Sequence, residues 1–141
     1  MLHLNLPFLL LFLLTSPIFA SAAITCLEVN STAIATWTNA RGQTCRWTGK
    51  VGGNFGVNAV NGGICGAGCA GFGLGNVYTQ NCFNHDICSF FNNAAGGAAD
   101  PNCGPAFRAA EDDTLFGYLY GCSARNPVVK AEVPGSGPVC G

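Results

Sequence analysis

Residues 4 to 14 form an almost unbroken apolar run, LNLPFLLLFLL, broken at Pro17 and followed by the small residues Ala20-Ser21-Ala22. An apolar centre, a breaker and an Ala-x-Ala end form the layout of a secretory leader cleaved near Ala22. The run falls short of the ~20 residues that a membrane span needs. Alternation then takes over. Ala33-Ile34-Ala35-Thr36-Trp37-Thr38 and Thr44-Cys45-Arg46-Trp47-Thr48 predict two strands around a turn at Asn39-Ala40-Arg41-Gly42. Residues 57 to 60 predict a short third strand. Residues 62 to 75 are rich in Gly and read as a loop. From residue 77 to 92 the period changes again. Cys82, His85, Cys88 and Ser89 recur at three- and four-residue spacing, which predicts a helix closed by Asn93 and Gly96-Gly97. Asp100-Pro101-Asn102-Cys103-Gly104-Pro105 is a helix start, with Asn102 as the expected cap, and a second helix is expected over 105–121. The tail from residue 126 holds three prolines, and Cys140 is placed to tie it back.

Composition narrows this picture. The chain has 141 residues, 9% of them charged, a net charge of −1, nine Cys and 20 Gly. Six basic residues give no basic face for phosphates, so nucleic acid is excluded as a partner. Low charge also excludes a disordered chain. The expected organisation is a leader over 1–22, a β-rich segment over 23–62 and a helical domain with a tail over 63–141. A secreted protein folds in an oxidising compartment, where nine Cys in a small domain read as disulfides with one left over. Cys26 and Cys45 bracket the β-rich segment and suggest a bridge within it. Asn30-Ser31-Thr32 is a glycosylation sequon.

The segment Cys82-Phe83-Asn84-His85-Asp86-Ile87-Cys88 concentrates the chemistry. On a helix, Cys82 and Cys88 lie about 60° to either side of His85, and Asp86 lies about 100° around from it. Two bridges there would fix the aim of the imidazole, while Asp86 would face a different neighbour. His is the usual general base near neutral pH. Zinc is a poor fit, because two Cys flank a single His and export favours bridges over thiolates.

These residues resemble the active-site helix of the secreted phospholipase A2 superfamily, Cys-x-x-His-Asp-x-Cys. The Cys65-Gly66-Ala67-Gly68 stretch, 20 residues before His85, resembles the calcium loop of that family. The acidic run Glu111-Asp112-Asp113 falls on the second helix, where the family places an Asp. Asn81 and Ile64 stand where the animal enzymes usually carry Cys and Tyr, so the pattern looks closer to the compact microbial and fungal branch. The resemblance implies a mainly α, disulfide-rich fold with two antiparallel helices and a calcium loop, behind a short β-rich segment. It implies a secreted, monomeric hydrolase that cleaves the sn-2 ester of phospholipids at a membrane or micelle surface. His85 would be the base. Asp112, or after it Asp113, would orient the imidazole: the helical spacing puts Asp112 among Ala109, Leu115, Phe116 and Leu119. Asp86 with the carbonyls of Ile64, Gly66 and Gly68 would hold calcium, with a dissociation constant of roughly 10⁻⁴ to 10⁻³ M for a site with one carboxylate. The implied bridges are Cys65–Cys82, with Cys69 as the alternative partner, Cys88–Cys103 and Cys122–Cys140. The other reading is a non-catalytic secreted effector or surface-binding protein on the same scaffold.

Overall fold

A computed structural model describes residues 23–53, 69–70, 76–94, 97–124 and 135–141. The predicted leader, the expected strand over 57–60, Cys65 and the expected calcium ligands Ile64, Gly66 and Gly68 lie outside these residues.

The alternating segments form the hairpin β1 (Thr32–Thr38) and β2 (Thr44–Lys50), in antiparallel register with Ala35 opposite Trp47 and Trp37 opposite Cys45. Period-two alternation puts these four side chains on one buried face. The turn between the strands is built by Asn39. Its Oδ1 accepts from the N–H groups of Arg41 (2.9 Å) and Gln43 (3.0 Å), and Gly42 takes the positive φ of 76° that closes it. The C-terminus returns as β6 (Val139–Cys140) on the open edge of β2. A second small antiparallel sheet joins β3 (Cys69–Ala70), β4 (Asn76–Val77) and β5 (Ser123–Ala124), with β4 in the middle.

Helix α1 (Gln80–Asn92) starts three residues later than the spacing suggested, because Asn76 and Val77 are taken by β4. Thr79 is its cap: the Cys82 N–H donates to Thr79 Oγ1 at 3.2 Å. Asn93 ends it in the left-handed conformation at φ 48°. Its apolar side, Phe83 and Ile87, packs on the hairpin's buried face, where Trp47 meets Phe83 and Trp37 stacks on Phe91 at 6.4 Å. A polar edge pins the helix to β1. Asn84 Oδ1 accepts from the Thr36 N–H at 2.9 Å, and Gln80 Nε2 donates to the Ile34 carbonyl at 2.9 Å. The β-rich segment and α1 therefore share one core.

Helix α2 (Gly104–Leu119) has Pro105 in its first turn, as expected, but Asn102 is not its cap. Asp100 Oδ1 takes the N–H groups of Asn102 and Cys103, and Asn102 Oδ1 instead accepts from the Ala40 N–H in the hairpin turn at 3.0 Å. Ala110, Asp113 and Gly117 are buried on α2. Gly117 makes the close approach possible: a Cβ there would stand 2.5 Å from Val77 Cγ1 and 2.9 Å from Thr79 Cγ2.

Two expectations are corrected here. The fold is not mainly α. Among the described residues it is a mixed α and β fold, with six strands in two antiparallel sheets beside two helices. Of the expected bridges, Cys88–Cys103 forms, and Cys69 rather than Cys65 pairs with Cys82. Cys26–Cys45 and Cys122–Cys140 are replaced by Cys26–Cys122 and Cys45–Cys140. The pairing follows the sheets. Cys45 and Cys140 are cross-strand partners of β2 and β6, and Cys26 bridges to Thr79 beside the chain end of α2.

Candidate functional site

His85 sits midway along α1, between two disulfides. Cys69–Cys82 anchors the first turn of the helix to β3, and Cys88–Cys103 anchors its second half to the start of α2. All four sulfurs lie on elements packed around the helix, so its backbone has little freedom to rotate. The His85 side chain is 23% exposed, enough to meet a solute from outside while its walls remain protein.

Three neighbours surround the ring. Ser89 Oγ lies 3.2 Å from Nε2, one turn further along α1 and itself buried. Asp86 Oδ1 lies 3.6 Å from Nδ1, a charge contact too long for a hydrogen bond. The ring of Phe107 on α2 meets the imidazole edge-on, with centroids 5.2 Å apart. The two ring nitrogens are thus differentiated, with a hydroxyl at one and a carboxylate at the other. Asp86 is buried at 7% exposure, where a charged group needs compensating partners. Its charge also reaches Tyr78. Burial pushes the Tyr78 phenol up, the Asn76 side chain works against that, and the Asp86 charge adds to it.

The acidic run of α2 divides clearly. Glu111 and the expected Asp112 are exposed, and Asp113 is the buried carboxylate, with Oδ2 lacking a hydrogen-bond partner among the described residues. The burial predicted for Asp112 rested on Leu115, Phe116 and Leu119 facing the core, and all three are exposed. The buried stripe is made of small residues, Ala110 and Gly117, and Asp113 lies on it. Large side chains would not fit where α2 meets Val77 and Thr79, so the usual rule of reading the apolar face from the large residues fails here.

Among the described residues, His, Cys, Asp and Glu do not gather in a group of three or more that could hold a metal ion. Ser89 and Phe107 are the site residues that sequence reasoning did not assign a role. For Ser89 the signal was present as an i, i+4 pair with His85. Phe107 is a contact between helices and had none.

Residues 22–141 match the model of DUF8213, a domain of unknown function. The chain belongs to this DUF8213 family. The match begins where the apolar leader-like segment ends, and it takes in the hairpin, both helices and the returning tail as one unit. Neither the curated proteins nor the solved structures yielded a match.

Proposed function

We propose that this DUF8213 protein is a secreted, calcium-dependent hydrolase of the phospholipase A2 type, which cleaves the sn-2 ester of phospholipids with His85 as general base. The observation that carries the reading is a His-Asp pair held on a buried helix between two disulfides, with the two imidazole nitrogens facing different partners. Four disulfides among the described residues are typical of extracellular proteins and support export.

In the mechanism, the His85 Nε2–H donates to Ser89 Oγ. That fixes the tautomer and leaves the Nδ1 lone pair free to take a proton from the attacking water. The imidazolium that forms is stabilised by the Asp86 carboxylate beside Nδ1. Asp113 is the buried carboxylate of the second helix, and with Nε2–H held by Ser89 it has no imidazole N–H left to accept, so the orienting part first assigned to Asp112 falls to Ser89. The Phe107 edge limits how the ring can turn. Asp86 suits an oxygen-seeking ion, since it is a carboxylate placed beside the base. Calcium held by Asp86 and the carbonyls of Ile64, Gly66 and Gly68 would supply positive charge to the ester carbonyl and the phosphate.

The lipid surface would meet apolar groups. Phe90 and Phe91 pack against the core and do not serve that role. Leu115, Phe116, Leu119 and Tyr120 at the end of α2 are exposed instead, with Glu111 and Asp112 nearby. That mixture favours zwitterionic over anionic lipid. The deciding assay is fatty-acid release from phosphatidylcholine vesicles, with calcium and with chelator. The expected result is that wild type cleaves only with calcium and His85→Gln does not cleave, with circular dichroism showing both folded. Asp86→Asn is expected to lose calcium affinity, read by calorimetry, together with rate. Wild-type protein that binds calcium but releases no fatty acid defeats the enzyme reading in favour of a non-catalytic binding protein.

A further inference from the structure

We propose that Asn30 is a site of N-linked glycosylation, a modification that rests on export of the chain and not on its catalytic reading. Asn30-Ser31-Thr32 is the only Asn-x-Ser/Thr sequence in the chain. The structure places it where such a group can be carried. Asn30 is exposed, in the turn that enters β1, with a φ of 70° in the left-handed region that Asn tolerates better than most residues. The backbone around it is held on both sides. The Asn30 N–H donates to the Val51 carbonyl at 3.0 Å, the Val51 N–H donates to the Ser31 carbonyl at 2.9 Å, and the Ser31 N–H donates to the Glu28 carbonyl at 3.0 Å. Ser31 Oγ donates to that same Glu28 carbonyl at 2.6 Å.

The carboxamide of Asn30, in contrast, makes no hydrogen bond among the described residues. Other turn residues use their side chains structurally. Asn39 Oδ1 closes the hairpin turn and Asp100 Oδ1 caps the approach to α2, so neither group is available for chemistry. Asn30 needs only its backbone for the turn, which leaves its amide free to react and to bear a large polar group without disturbing the fold. Thr32, the other recognition residue, is also exposed. It lies four residues before Thr36, the β1 position bonded to Asn84 beside His85, or about 13 Å along an extended strand.

The transfer uses an oligosaccharide carried on a lipid diphosphate. Asn30 Nδ2 attacks the anomeric carbon, the bond from that carbon to the diphosphate oxygen breaks, and the lipid diphosphate leaves with the electron pair. One amide proton is lost and the C–N glycosidic bond is formed, with no change of oxidation state.

The test is expression in a eukaryotic secretory host in two forms, one with the native first 22 residues leading and one with the full chain placed behind a proven export leader. Medium protein is analysed by intact mass before and after peptide N-glycosidase. We expect a carbohydrate mass that the enzyme removes, leaving Asp at position 30 in the peptide map. It should be absent in Asn30→Gln and Thr32→Ala and retained in Thr32→Ser. Unmodified Asn30 in secreted, disulfide-bonded protein from the proven leader overturns the proposal. Retention of the native-leader form alone overturns the reading of residues 1–22, while the glycan on the other form still supports the site.

Discussion

In the proposed mechanism, Ser89 decides which imidazole nitrogen of His85 is free to take a proton. Its hydroxyl faces Nε2 at 3.2 Å in a buried position, so it competes with little water for that contact. Ser89→Ala removes the acceptor and lets the ring populate the unproductive tautomer. A neutral hydrogen bond contributes about 0.5–1.5 kcal/mol, which sets an expected loss of roughly 3- to 10-fold in kcat. KM should stay near the wild-type value, because Ser89 is buried against His85. Ser89→Thr, which restores the hydroxyl, recovers the rate if it fits. A second prediction at this scale concerns Tyr78, 2% exposed and raised above its ordinary value of 10.0 chiefly by burial. For a phenol raised in the folded state, the associated stability is fully present below the unfolded value and lost as pH rises through the folded one. Denaturant midpoints should therefore fall at alkaline pH, starting near 10.0, and Tyr78→Phe should flatten that fall. An alkaline decline as steep in Tyr78→Phe as in wild type would assign it to other groups.

Helix α2 owes its placement to the small residues it buries. Gly117 touches β4 so closely that Gly117→Ala must displace Val77 or Thr79, and overpacking of this kind costs about 1–3 kcal/mol. The loss should appear as a lower urea midpoint with an unchanged m-value; unchanged stability would mean that the β4–α2 contact is looser than the geometry shows. The same small-residue face explains what could and could not be read from the sequence. The hairpin was legible because Ala35, Trp37, Cys45 and Trp47 alternate and Asn39 and Gly42 carry their own turn chemistry. The helix with His85 was legible because its Cys and His spacing repeats every turn. The buried side of α2 was not, since Ala110 and Gly117 carry no hydrophobic signal and Leu115 and Leu119 carry a false one. For that reason Asp113, the buried carboxylate, ranked second to Asp112 in the sequence. The two-residue strands β3, β4, β5 and β6 left no periodicity to detect, so a mixed fold looked helical.

On the scale of the whole molecule the disulfides form two classes, and local spacing could suggest only one of them. Cys69–Cys82 and Cys88–Cys103 close loops of 13 and 15 residues around His85, whereas Cys26–Cys122 and Cys45–Cys140 close loops of 96 and 95 residues and tie both chain ends to the core. The long pairs depend on β6 returning to β2 and on the segment around Cys26 returning to the end of α2, which is topology and not spacing. In the chain-entropy view a closed loop of ~100 residues is worth about 4.7 kcal/mol and one of ~15 about 3 kcal/mol. Cys45→Ala with Cys140→Ala should therefore lower unfolding stability more than Cys88→Ala with Cys103→Ala. Activity should respond in the opposite order. The end staple lies away from the imidazole, so its loss leaves the rate per folded molecule near wild type. The Cys88–Cys103 bridge holds the half of α1 that carries Ser89 against α2 and Phe107, so under the proposed function its loss should let His85 drift and slow ester cleavage in the molecules that remain folded. Denaturant unfolding and vesicle hydrolysis, measured on the same preparations with free thiols counted, separate the two effects. Equal losses of rate per folded molecule in both variants would show that the clamp around His85 is a stability device and does not aim the base.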